Sequence, residues 1–223
     1  MAKVLTDATL TLDIHAGESA TYVHVLGTHA AYSVQLTLQE GARVQWFTLL
    51  FGGNATYTFH SSCRGAAARS DVVCVFAARK KDCQELSITN NFEATDGQGE
   101  VLMKGIAEES AHVSCRGMIA IGPHAHGTNT YLTQDVLMLD TTAKIDAVPG
   151  LEIKTNDVKA SHSATVSRVS PEDLFYFASR GIGKQEARAM YIEGFLKSAW
   201  DSVENTDMHD QMTQTLETYL ERR

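Results

Sequence analysis

The sequence predicts a mainly β protein ending in an α-helical appendage, on three observations. Short segments of alternating apolar and polar residues run up to Val169, small turn residues punctuate them, and beyond Val169 the apolar spacing changes from two to three and four. Many short, evenly spaced strands fit a sandwich, a barrel or a β-helix. A six-residue echo bears on that choice: His60-Ser61-Ser62-Cys63-Arg64-Gly65 returns as His112-Val113-Ser114-Cys115-Arg116-Gly117. Repetition of this kind favours stacked, repetitive coils over a Greek-key sandwich.

The elements follow in order. Thr9–Ile14, Ser33–Leu38 and Val44–Leu49 alternate with β-branched and aromatic residues, the mark of strands with one buried face. Gly17, Gly27, Gly41, Gly52-Gly53, Gly97, Gly105, Gly117 and Gly127 read as the breaks between strands, and the chain has only three prolines. The division falls into a β core over residues 1–169 and a helical region over residues 170–223. Ser170 is suited to cap a helix, with Pro171 at its first position, Asp173 placed as a capping-box acid and Gly181 as its stop. A second helix is expected from Lys184 to about Val203, with an apolar stripe of Ala187, Met190, Tyr191, Gly194, Phe195 and Ser198. A third is expected from Met208 to Leu220. Leu174, Phe175, Tyr176 and Phe177 are consecutive, and no helix buries four adjacent large side chains on one face, so some of them must meet a second surface.

Composition excludes several classes of function. A net charge of −8 and the absence of any basic run longer than Arg79-Lys80-Lys81 argue against a nucleic-acid surface. No segment has the apolar length of a signal core or a membrane span, so a cytoplasmic, soluble protein is expected. Cys63, Cys74, Cys83 and Cys115 are too scattered for a zinc knuckle, and each reads as a small buried hydrophobe or as a thiolate offered to iron or a sulfur donor. GxSxG, P-loop and HExxH motifs are absent. Asp135, Asp140, Lys144 and Asp146 have no spacing that demands a lyase site. His124-Ala125-His126 is an HxH, which on a strand would set two imidazoles on one face about 6–7 Å apart. No acid follows within five residues, as a cupin would need, which leaves a cupin-like or other small-molecule metal-binding protein using His124 and His126 as the alternative reading.

One family resemblance runs through the last third. Its residues are Pro149, Leu151-Glu152-Ile153, Asn156-Asp157-Val158-Lys159, Ser161-His162, Ala164-Thr165, Leu174-Phe175-Tyr176, Ser179-Arg180-Gly181 and Glu186-Ala187. In these the chain resembles the SufB/SufD scaffold proteins of iron–sulfur cluster assembly, over Ile88 to Trp200 and only in style before that. The resemblance implies a right-handed parallel β-helix, and because strands begin by about Thr9 the chain is expected to lack the family's N-terminal helical domain. It implies a partner too, a SufC-like ABC ATPase gripped by the segment Phe175 to Phe195, with Leu174, Phe175, Tyr176, Arg180 and Phe195 as contacts. His162 matches the family histidine at the SufB–SufD interface, where a nascent cluster assembles, and imidazole can ligate iron or relay protons.

The departures from the pattern are specific. Ala160 stands where SufD-like chains carry a cysteine, Ser163 where SufB-like chains carry a glutamate, and Asp135, after Thr133-Gln134, where SufB has its thiolate. Aspartate binds iron but cannot accept persulfide sulfur. His162, Ser163 and Asp135 are therefore the expected interface set of a SufD-like, non-catalytic scaffold subunit beside a SufB-like chain or a second copy of itself. The expected cofactor is a transient iron–sulfur cluster at that interface, with none bound tightly.

Overall fold

The computed structural model describes residues 2–27, 30–169, 171–201, 203 and 205–221, without the side chains of residues 2 and 171–174. Thirteen strands come first: β1 (Ala2–Leu5), β2 (Thr9–Ile14), β3 (Ser19–Leu26), β4 (Ala30–Leu38), β5 (Arg43–Phe51), β6 (Ala55–Cys63) and β7 (Arg69–Ala78), then β8 (Cys83–Phe92), β9 (Gln98–Ala107), β10 (His112–Ile121), β11 (Thr128–Met138), β12 (Lys144–Ile153) and β13 (Val158–Arg168). Helices α1 (Pro171–Ser179), α2 (Lys184–Lys197) and α3 (Thr206–Glu221) follow. Ser170, the side chain of Asp173 and the side chain of Leu174 lie outside what is described.

Odd strands form one seven-stranded sheet and even strands a second, six-stranded one, each in sequence order and each wholly parallel. The chain thus winds as a β-solenoid of about 5 turns, alternately laying a strand on each sheet. The winding widens along the axis: Thr9 pairs with Ser33, 24 residues on, whereas His112 pairs with Lys144, 32 residues on.

One column of turns is built by a repeated backbone device. Gly17, Gly41, Ala67, Asp96 and Gly127 all have positive φ, at 71°, 63°, 54°, 59° and 73°. Their N–H groups donate to Glu40, Ala66, Thr95, His126 and Asp157 on the next turn, at 2.7–2.9 Å. A left-handed residue reverses the chain in little space, and its amide is satisfied by the neighbouring turn rather than by water. Glycine supplies three of the five, and Ala67 and Asp96 take the conformation against their own preference.

Alternation then sorts the side chains. Interior positions such as Val34, Trp46, Tyr57, Phe59, Phe76, Ile88, Val113, Ile119 and Leu132 fill the space between the sheets. One interior row is polar or polarisable: His24, Thr48, Cys74, Met103 and Gln134 stand in register on the odd sheet. The Trp46 indole donates to Thr48 Oγ1 and the Tyr57 hydroxyl at 3.0 and 3.1 Å, and Gln134 Nε2 donates to the Cys115 carbonyl at 3.2 Å. Gly105 and Gly117 are not breaks but interior strand positions, where an added Cβ would lie 2.2 Å from the Phe76 ring and 2.7 Å from Leu132. The echo also fails as a repeat. His60–Gly65 straddles the end of β6, and His112–Gly117 begins β10, so the stacking it suggested rests instead on the ladder pairing.

The helices pack on the outer face of the seven-stranded sheet. Ile192, Leu196, Ala199, Trp200, Met208, Met212, Leu216 and Tyr219 cover Val23, Phe47, Leu49, Val75, Ala77, Ile106 and Leu137. The buried face of α2 is Ala187, Ile192 and Leu196, with Tyr191 and Phe195 half-buried beside it, while Met190, Gly194 and Ser198 of the expected stripe are exposed. Glycine and serine do not define a helix face, and the large residues turn it about one position. Gly181 (φ 78°) ends α1, its N–H bonding to the Ala178 carbonyl and that of Ile182 to the Phe177 carbonyl, a Schellman pattern.

Candidate assembly interface

β12 and β13 end their sheets, so one edge of each is free of any described partner strand. These edges carry unpaired backbone donors and acceptors, the kind of template that a further strand completes. Val158 and Ala160 of β13, and Ile145 and Leu151 of β12, pack toward the interior core, which fixes the inward set of this last turn. His162 shares that inward parity and stands in register with buried Leu132, yet it is exposed, because no further turn covers it. Val166 and Ile153, of the same parity, are 47% and 43% exposed. The open mouth is therefore small and apolar with one imidazole in it.

The other two expected members lie elsewhere. Ser163 and Asp135 are on the outer face of the odd sheet, in register with Thr133 and Thr165. Asp135 is held by Lys104 Nζ at 2.8 Å, and that ammonium lies 4.0 Å from the centre of the Phe195 ring. Outer and inner parity thus separate Asp135 from His162, and the aspartate is engaged by Lys104, whose ammonium also lies over the Phe195 ring.

Of the expected helix contacts, Phe175 and Tyr176 are 74% and 59% exposed, and the Arg180 guanidinium lies 5.5 Å from the Tyr176 ring centre. Phe195 is half-buried against the sheet. Leu174 has no described side chain. His124 and His126 sit exposed in the β10–β11 turn, His126 Nδ1 lying 2.8 Å from Thr155 Oγ1. Among the described residues no group of three or more His, Cys, Asp or Glu side chains is gathered to hold a metal ion.

The cysteines separate cleanly. Burial pushes the Cys63 and Cys74 thiols up to about 12 and raises Cys115 well above its ordinary value, with Cys74 nearby adding to it. Such thiols stay protonated and inert. Cys83 alone among the four is exposed. The signal that separates them is strand phase: Cys74 and Cys115 occupy apolar phases of their strands, whereas Cys83 opens a strand on the outward phase.

The architecture is thus a parallel solenoid with an open last turn and a helical pad on one sheet. Comparison with known families agrees. The SufBD core domain of the SUF system for iron–sulfur cluster assembly matches residues 4–195, extending the likeness over the first eighty residues as well. An iron–sulfur cluster assembly SufBD family protein of Mycobacterium leprae is 30% identical over 161 residues, 72% of this chain and 18% of that protein. The iron–sulfur cluster assembly protein SufB of Bacillus subtilis is 29% identical over 160 residues, 71% of this chain and 34% of its own length. A SufBD family protein of Staphylococcus epidermidis is 27% identical over 161 residues, 35% of its length. The chain belongs to the SufB/SufD family of iron–sulfur cluster assembly proteins, and it spans only 18–35% of these relatives.

Proposed function

We propose that this chain is a SufD-like scaffold subunit that couples an ABC-type ATPase to iron–sulfur cluster assembly at a subunit interface. The observation that carries the reading is the open last turn, with His162 exposed between two unpaired strand edges. A SufB-like chain, or a second copy of this one, would lay its own terminal strands against β12 and β13 and bury Ile153 and Val166. His162 would then face the partner, offering a neutral imidazole to iron or to protons during assembly. The subunit itself supplies no thiolate there, so persulfide sulfur must be accepted by the partner.

Exposed Phe175 and Tyr176, with Arg180 beside them, form the surface for the SufC-like ATPase. Large aromatics and arginine are the residues that dominate protein interfaces. ATP hydrolysis takes place in that partner, and the scaffold is non-catalytic. The cluster is cargo rather than a resident cofactor. The metal-binding alternative at His124 and His126 finds no third ligand among the described residues.

The test is affinity isolation of the tagged protein from its native cells, with mass spectrometry of what co-elutes. An ABC-type ATPase is expected, lost from Phe175→Ala/Tyr176→Ala. A SufB-like chain is expected as well, lost from Ile153→Glu/Val166→Glu while the ATPase is kept. Elution of the protein alone under gentle conditions with stoichiometric metal, released by His124→Ala/His126→Ala, would overturn the scaffold reading.

A further inference from the structure

The outer face of the six-stranded sheet aligns three chemically apt side chains across three neighbouring strands. Cys83 opens β8 and His112 opens β10, in register with each other. Parallel neighbours lie about 4.8 Å apart, and both side chains are on the outward phase and exposed. On the far side of His112 from Cys83, Asp146 of β12 takes the ring, with Nε2 and Oδ2 2.8 Å apart. The order is thiol, imidazole, carboxylate. A shallow groove of about 480 Å³ runs up to the thiol, lined by Ala30, Ala31, Asn54, Thr56 and Glu85, and Asn54 Oδ1 accepts the Cys83 N–H at 2.8 Å.

An exposed His–Asp pair contributes little to stability, a median of about 0–1 kcal/mol, and an exposed cysteine packs nothing. Their alignment matches what thiol chemistry requires. Thiolate is the nucleophile of cysteine, and an imidazole beside it, oriented by a carboxylate, both accepts its proton and stabilises its charge. Of the charged groups around it, Glu85 on the same strand and Asp82 in the preceding turn oppose the thiolate. Lys81 and Lys144, the latter in register with His112, favour it.

We propose that Cys83, His112 and Asp146 form a reactive-thiol site that exchanges with small-molecule disulfides. Cys83 is the nucleophile, His112 the proton acceptor and Asp146 the positioning residue. His112 Nδ1, the nitrogen not engaged by Asp146, takes the Sγ proton. The thiolate attacks one sulfur of the disulfide, and a Cys83–S bond forms as the S–S bond breaks. The leaving thiolate takes the proton from His112 and departs as a thiol. Cys83 sulfur is oxidised, the departing sulfur is reduced, and no further oxidant enters. The product is a mixed disulfide standing on a sheet face that the helices leave open.

Reaction of the native full chain with 5,5′-dithiobis(2-nitrobenzoate), followed by thionitrobenzoate release across pH, tests this. One rapid equivalent per chain is expected, absent from Cys83→Ser, with the other three thiols reacting only in urea. His112→Gln, which removes the proton acceptor, should slow the reaction severalfold at pH 7, and Asp146→Asn should do so in part. Oxidised glutathione should leave one glutathionyl adduct on the wild type. A rate unchanged by His112→Gln, or equal to that of a short peptide with the same flanking residues, would overturn the proposal, as would a rapid phase that survives Cys83→Ser.

Discussion

His24 is the buried residue whose chemistry most directly reaches stability. It lies in the interior with Nε2 2.9 Å from the Asp7 carbonyl and three aromatic rings, Tyr32, Trp46 and Tyr57, set edge-on around it. Burial lowers its pKa, opposed by the Asp7 carbonyl, so the folded state holds it neutral more firmly than the unfolded state does. Stability linked to His24 is thus complete above the ordinary histidine pKa of about 6.5 and is lost as pH falls below it toward the lowered folded value. Urea titrations from pH 7.5 to 5 should show this decline, at most about 1.4 kcal/mol per pH unit from one site, and His24→Phe should flatten it. Gly105 tests packing at the same scale. Its missing side chain makes room for the Phe76 ring, so Gly105→Ala should cost about 1–3 kcal/mol, read as a lower urea midpoint. Neither residue announced itself in the sequence, because a histidine and a glycine in a strand look alike whether they face the core or the solvent. Only the ladder phase tells them apart.

At the scale of elements, the helical pad is anchored by one aromatic and one cation. Trp200 is fully buried against the sheet, and Arg188 of α2 reaches Glu108 at 3.1 Å and Asp140 at 2.6 Å in two successive turns of the solenoid. Trp200→Ala should cost about 3–5 kcal/mol of docking, and Arg188→Ala about 1–3. Limited proteolysis should then cut within residues 184–221 while residues 2–169 stay resistant. The strands themselves were legible: Thr9–Ile14 is β2 as expected, and Ser33–Leu38 and Val44–Leu49 lie inside β4 and β5. Period-two alternation survives because each strand has one face against the interior. The face of α2 was less legible, since Gly194 and Ser198 diluted the period while Trp200, beyond the helix proper, carries much of the contact. His162 was legible only through resemblance. Its surroundings in the chain are those of any edge strand, and the opening that exposes it belongs to the end of the stack rather than to the residue.

For the whole molecule, the open last turn predicts association rather than instability. Replacing Ile153 and Val166 by glutamate should leave the unfolding free energy of the isolated chain within about 0.5 kcal/mol of wild type while abolishing co-elution of a second scaffold chain, measured by size-exclusion chromatography with light scattering. The pairing pattern has a kinetic corollary. Every strand bonds only to those two places before and after it, 24–32 residues away over most of the length, so each new turn closes a short loop, at nearly constant entropic cost, on a template already in place. Folding can proceed as a zipper along the axis, with no distant segment awaited. Amide exchange should record the same polarity, slowest in the central rungs from β5 to β10 and quickening toward β1 and β13. A ribosome delivering the chain from its N-terminus would supply the turns in the order in which they can be added.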